Sequence, residues 1–144
     1  MDGGPVNDAS EAGDASLVKQ RLEKVRATLS RVSAADAAEL LERGALLVDI
    51  RPVSLREATG GIPGALVIER NVLEWRLDPT SPDRHPAATT TERQVVIFCQ
   101  EGYASSFAAA DLKEMGLADV MDIIGGFSAW EAAGLPVLPP AEAR

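Results

Sequence analysis

The stretch QVVIFCQEGYASSFAAADLKEMG, residues 94–116, decides how this chain folds. Gln94 to Cys99 is an almost continuous apolar run whose length suits a strand covered on both faces. A short loop with one glycine follows. Ser105 to Gly116 then reads as a helix, with Ser105 near its start and Gly116 at its end. The same alternation continues on either side. ALLVDI (45–50), ALVIE (65–69) and DVMDII (119–124) have the length and apolar content of strands. SAADAAELLERG (33–44) reads as a helix with Ser33 as N-cap, Asp36 in its first turn and Gly44 as C-cap. NVLEWRL reads as a helical turn and GFSAWEAAG as a short helix. Strands separated by helices imply an α/β sheet with mainly parallel strands, in which ligands gather beyond the carboxyl ends of the strands. Cys99 stands at one such end, and Asp49 at another.

Composition bounds the function. The 144 residues suit one core and one domain, and 46% of them are hydrophobic. Only one cysteine is present, so no internal disulfide and no metal site built on paired cysteines is expected. The net charge of −8 argues against a nucleic-acid partner, which needs clustered cations. Half of that charge falls on Asp2, Asp8, Glu11 and Asp14, in a Gly- and Ser-containing leader (residues 1–15) expected to remain disordered. The start of the chain has no basic and apolar signal pattern, and no apolar run approaches a membrane span, which predicts a cytoplasmic protein without a membrane partner. From Ser16, Leu17, Val18, Leu22, Val25 and Leu29 recur at helical spacing among Lys19, Arg21, Glu23, Lys24 and Arg26, as an amphipathic helix would require. The only histidine, His85, lies in a Pro-, Ser- and Thr-rich stretch that reads as a solvated loop.

The chemistry concentrates at Cys99. A loop as short as CQEGYA must curl back over its strand end, with Gly102 relieving backbone strain and successive N–H groups turned into the curl. The N-terminus of the following helix adds about half a positive charge. Such a cradle stabilises a thiolate or a persulfide, and the hydroxyls of Ser105 and Ser106 are expected to add donors to it. The same position also suits a small buried hydrophobe at the end of a strand. The residues leave both readings open.

Four segments in order resemble the rhodanese-homology domain: VDIRP (48–52), GIPGA (61–65), CQEGYASS (99–106) and GGFSAWEAAGLPV (125–137). The resemblance covers about residues 30–138, and it implies a three-layer fold with a five-stranded, mainly parallel sheet flanked by helices. It also implies sulfurtransferase chemistry through a cysteine persulfide, without metal or organic cofactor. On this reading a small sulfane donor, thiosulfate or a persulfide, gives sulfur to Cys99, and cyanide or a thiol removes it. A protein donor or acceptor is a further expected partner. Gln100, Glu101, Gly102, Tyr103, Ala104 and Ser105 match the loop around the sulfur. Asp49 and Arg51 match positions expected mainly to tie down the loop 51–63, with contact between Arg51 and an anionic substrate as the alternative; Arg56 lies near an anion-binding arginine of some members, and Gly125, Gly126 and Trp130 match a structural signature. The implied division is a leader at 1–15, a helix at 16–29, the domain at 30–138 and a tail at 139–144.

Three positions depart from the family pattern. Gly61 replaces a common histidine, Ala104 stands where the loop often carries an arginine, and Glu101 adds negative charge. The loss of a cation at Ala104 weakens the case for a dianionic donor. Phosphatases of related fold place an arginine six residues after the cysteine to clamp phosphate, and Ser105 stands there instead. The alternative from another class is a binding or regulatory module with an inert Cys99, or a protein-to-protein sulfur relay.

Overall fold

The computed structural model describes residues 15–140. All but the edges of the expected leader and tail lie outside these residues. In chain order the elements are α1 (Leu17–Arg26), β1 (Ser30–Val32), α2 (Ala34–Glu42), β2 (Leu46–Asp49), α3 (Val53–Thr59) and β3 (Leu66–Val67). A 3-10 turn (Arg70–Val72) follows and leads into α4 (Leu73–Leu77), β4 (Gln94–Phe98), α5 (Ala104–Met115), β5 (Asp119–Ile123) and α6 (Gly126–Ala132). The five strands form one parallel sheet in the order β1-β5-β4-β2-β3. This is the three-layer architecture, with a five-stranded parallel sheet flanked by helices, that the resemblance implied.

Period-two alternation along the strands builds the two outer layers. Val95, Ile97 and Cys99 share a face with Val48 and Val120, and pack against Leu73 and Leu77 of α4 and Ala108, Ala109 and Leu112 of α5. Val96 and Phe98 point the other way and join Leu47, Met121 and Ile123 beneath Ala37 of α2 and Phe127 and Trp130 of α6. Burial on both faces explains why β2 and β4 read as almost continuous apolar runs.

Two elements differ from the sequence reading. Ser30–Val32 is an edge strand pairing with Met121–Ile123, in a stretch that carried no strand signal. Val53–Thr59 is a helix within what was expected to be a loop. Helix α1 packs on α5, as its pattern implied, but only Leu22 and Val25 of its expected apolar face are buried; Leu17 is 84% exposed and Val18 63%. Ser16 and Ser33 both cap their helices, accepting from the N–H groups of Lys19 and Asp36. Arg43 is the C-cap of α2, and Gly44 lies just beyond it. Among the described residues no helix is long and apolar enough to cross a membrane.

Candidate functional site

Cys99 follows directly on β4, under the first turn of α5. Its Sγ accepts hydrogen bonds from the N–H groups of Gly102 (3.2 Å) and Ser105 (3.3 Å). It is 8% exposed and also belongs to the apolar cluster beneath α5. The two readings left open by the residues thus describe one atom: the side chain is buried, and its sulfur lies in a ring of backbone donors at a helix N-terminus.

The ring is held on one side by α6. Phe127 N–H donates to Cys99 O (2.8 Å) and Ser128 N–H to Gln100 O (3.0 Å), so two N–H groups that have no partner within the helix are used to orient the loop. This close approach requires glycine. Gly126 has φ +60°, and a Cβ there would fall on Cys99 O; Gly102 has φ +89°, and a Cβ there would lie 2.6 Å from Gly125 N. The paired glycines at 125–126 therefore serve as a backbone seat for the cysteine loop.

Arg51 forms a second anchor. Its Nε donates to Asp49, its Nη1 to Thr59 Oγ1 (3.0 Å) and Gln100 Oε1 (2.9 Å), and its Nη2 to Asp49 Oδ2 (2.8 Å) and Gly60 O (2.7 Å). All five guanidinium donors are engaged, in a side chain 1% exposed and 4.3 Å from the Phe127 ring centroid. Arg51 has nothing left to offer a ligand; it ties β2, the end of α3 and Gln100 together. Arg56, on α3, donates through Nη1 to Arg51 O (2.7 Å), while its buried Nε has no hydrogen-bond partner among the described residues.

The underside of the loop corrects the sequence reading. The hydroxyls of Ser105 and Ser106 do not line the cradle. Both donate to Asp122 Oδ2 (2.8 and 2.9 Å), and Asp122 is fully buried on β5. Arg31 of β1 completes the carboxylate shell through Nε to Oδ1 (2.9 Å) and Nη2 to Oδ2 (3.1 Å). Arg31 Nη2 also reaches Gly102 O (3.0 Å), and Arg26 at the end of α1 donates to the same carbonyl (2.7 Å) and to Ser106 Oγ (3.1 Å). Asp122, Arg31 and Arg26 were not singled out in the sequence. The available signal was an aspartate in the apolar run DVMDII, which a strand buried on both faces tolerates only with partners.

The remaining expected residues lie as follows. Glu101 is exposed and accepts from Ser128 Oγ (2.9 Å), so its carboxylate is turned to α6. The Tyr103 ring lies under the Arg26 guanidinium, 5.5 Å from it, and Ala104 is the exposed first residue of α5. Burial, with Arg31 alongside, holds the Arg26 pKa below its ordinary value. Gly61 pairs with Leu138, the two exchanging N–H···O bonds of 3.0 and 2.7 Å, so the chain after α6 fills the place beside it. Trp130 is 2% exposed and donates to Pro136 O, a packing role. His85 is half-buried rather than solvated, with Nδ1 accepting from Ala87 N–H (2.9 Å); burial first, and Arg76 second, lower its pKa.

Comparison with known proteins adds to this geometry. A family model described as the rhodanese-like domain matches residues 33–133. A sulfurtransferase of Allochromatium vinosum is 36% identical over 96 residues, covering 66% of this chain and 79% of that one. The thiosulfate sulfurtransferase GlpE of Pseudoalteromonas translucida is 32% identical over 104 residues, covering 71% and 89%. Among solved structures, RPA3614 of Rhodopseudomonas palustris, described as a protein of unknown function and "Possible Tyrosine Phosphatase", superposes with a TM-score of 0.76 at 33% identity, over 94% of this chain and 99% of that one. The polysulfide-sulfur transferase homodimer of Wolinella succinogenes gives a TM-score of 0.71 at 26% identity, over 92% and 94%.

Proposed function

Because this chain belongs to the rhodanese-like domain family, with sulfurtransferases among its relatives, we propose that it moves a sulfane sulfur through a persulfide on Cys99. The observation that carries the reading is the pair of N–H donors, from Gly102 and Ser105, aimed at Sγ at the start of α5. These donors, at the start of a helix, are placed to hold the negative charge that a persulfide carries on its sulfur.

The transfer has two steps. The Cys99 thiolate attacks the outer sulfur of the donor; a bond forms between the two sulfurs, and the donor's own bond to that sulfur breaks. Thiosulfate would leave as sulfite, and a polysulfide would leave one sulfur shorter. The cysteine now carries a terminal sulfur with a negative charge. A thiolate or cyanide then attacks that terminal sulfur, and Cys99 departs as the thiolate it was at the start. No separate general base is needed, since the nucleophile enters and leaves as an anion.

A low-molecular-weight persulfide, with a single negative charge on its sulfur, suits the site better than thiosulfate. No cation stands at Ala104, and Arg51 has no donor to spare for a dianion. Of the arginines expected near the site, Arg56 alone keeps an unpartnered donor among the described residues, and that Nε is buried. The likeness to a polysulfide-sulfur transferase supports a sulfane donor more generally. A phosphatase reading, raised by the description of one neighbour, has no support in the loop: Ser105 occupies the place of the phosphate-clamping arginine, and its hydroxyl is bonded to a buried carboxylate.

The test is intact mass after incubation with polysulfide or thiosulfate. Wild type gains one sulfur atom, returns to its starting mass on adding a thiol, and Cys99→Ser gains nothing. An unchanged wild-type mass, with iodoacetamide reacting no faster than with a free peptide cysteine, would defeat the reading and leave a binding module.

A further inference from the structure

The loop's expected cation is missing from the loop itself, yet two guanidiniums meet at one of its carbonyls. Arg26 Nη2 and Arg31 Nη2 donate to Gly102 O at 2.7 and 3.0 Å. They come from α1 and β1, both upstream of residue 33, where the family match begins. A trans peptide is planar, with its C=O and N–H pointing in opposite directions. Drawing Gly102 O outward toward the arginines therefore turns the N–H of Tyr103 the other way. Two charged donors on one carbonyl also polarise the amide and strengthen its N–H as a donor. Among the described residues the Tyr103 N–H meets no acceptor, whereas those of Gly102 and Ser105 already serve Sγ.

We propose that Arg26 and Arg31 are positioning residues that orient and polarise the Gly102–Tyr103 peptide, so that the Tyr103 N–H receives the terminal sulfur of a Cys99 persulfide. This rests on the reading of Cys99 as sulfur carrier. The arrangement supplies from outside the ring the positive charge that an arginine at Ala104 would supply from within it. The two cations are themselves fixed. Arg31 is bonded to Asp122, and Arg26 is bonded to Ser106 Oγ above the same carboxylate and lies against the Tyr103 ring. Their charge is thus delivered through the peptide, out of contact with substrate.

The experiment uses the full chain with Arg26→Leu and Arg26→Lys, because Arg31 also neutralises a buried carboxylate and its removal endangers the fold. In wild type, loading Cys99 with sulfur from polysulfide should move the Tyr103 amide proton downfield in a two-dimensional NMR spectrum. In Arg26→Leu that shift should shrink and the persulfide should decay about five- to tenfold faster, the scale of one net hydrogen bond. Arg26→Lys should restore most of both. An unchanged Tyr103 shift and persulfide lifetime in a folded Arg26→Leu would overturn the proposal, as would failure of lysine to rescue. If wild type takes up no sulfur, it is the sulfur-carrier reading that fails. Alkylation of Cys99 by iodoacetamide then still reads the peptide's orientation: Arg26→Leu should slow it several-fold, and equal rates overturn the proposal.

Discussion

Replacing Arg51 by methionine isolates what the buried anchor contributes. The change removes every hydrogen bond that the guanidinium donates and leaves the Asp49 carboxylate, 1% exposed, with only the N–H of residue 51 as a donor. Breaking a buried pair from one side costs about 3–5 kcal/mol, because the remaining charge is uncompensated. Set against the roughly 5–15 kcal/mol of a typical domain, this leaves the variant folded with a thin margin. With a urea dependence of about 2 kcal/mol per molar, the midpoint should fall by about 2 M. The fluorescence of Trp130, buried beneath the sheet on the same side as Phe98 and Phe127, follows the transition. The double variant Asp49→Leu/Arg51→Met removes both charges, and should recover about half of the loss, since an apolar pair of similar volume replaces a buried ion pair at little net cost. A single variant that loses less than about 1 kcal/mol, or a double variant no more stable than the single, would refute the account of Arg51 as a wholly internal anchor.

Gly126→Ala forces a left-handed backbone on alanine and drives its Cβ into Cys99 O; urea unfolding should show a loss of about 3 kcal/mol, and iodoacetamide should reveal a displaced thiol. A stability within about 0.5 kcal/mol of wild type would mean that the loop has room to move. Ala104→Arg places a cation at the exposed start of α5, and should raise kcat/KM for thiosulfate about tenfold while changing that for a singly charged low-molecular-weight persulfide much less; an equal change for both donors would remove the explanation offered for that position. His85 is held below its ordinary value of 6.5 by burial and by Arg76, so protonation is harder in the fold than in the unfolded chain. Its contribution is full above that ordinary value and is lost as pH falls through it toward the folded value. The Tm of wild type should therefore drop more steeply across that interval than the Tm of His85→Gln, and parallel curves would contradict the assignment.

The central strands and the cysteine loop were legible because their signals are local. Val95 to Cys99 alternates between two covered faces, and the glycine at 102 sits where a tight return needs it. Strand β1 was not legible: it is three residues long, lies at the sheet edge and is only partly buried, so Ser-Arg-Val carries no apolar pattern. Helix α3 was hidden for a related reason. Its only buried residue is Arg56, held by a hydrogen bond rather than by apolar packing. The shell around Asp122 joins residues 91 apart, and no spacing rule reaches across that distance. The misplaced hydroxyls of Ser105 and Ser106 follow from the same gap, since the acceptor that turns them inward lies on a different strand.

The position of β1 has a consequence for any shortened form of this protein. The family match begins at residue 33, one residue past the strand that covers the side of β5. Trimming to that span would uncover the N–H and C=O groups of Met121 to Ile123, a bare sheet margin able to recruit a strand from another molecule. The isolated core would then tend toward self-association and fibre-like pairing even with its cysteine loop intact in sequence. Three inconspicuous residues, Ser30, Arg31 and Val32, thereby occupy a margin of β5 that would otherwise be open.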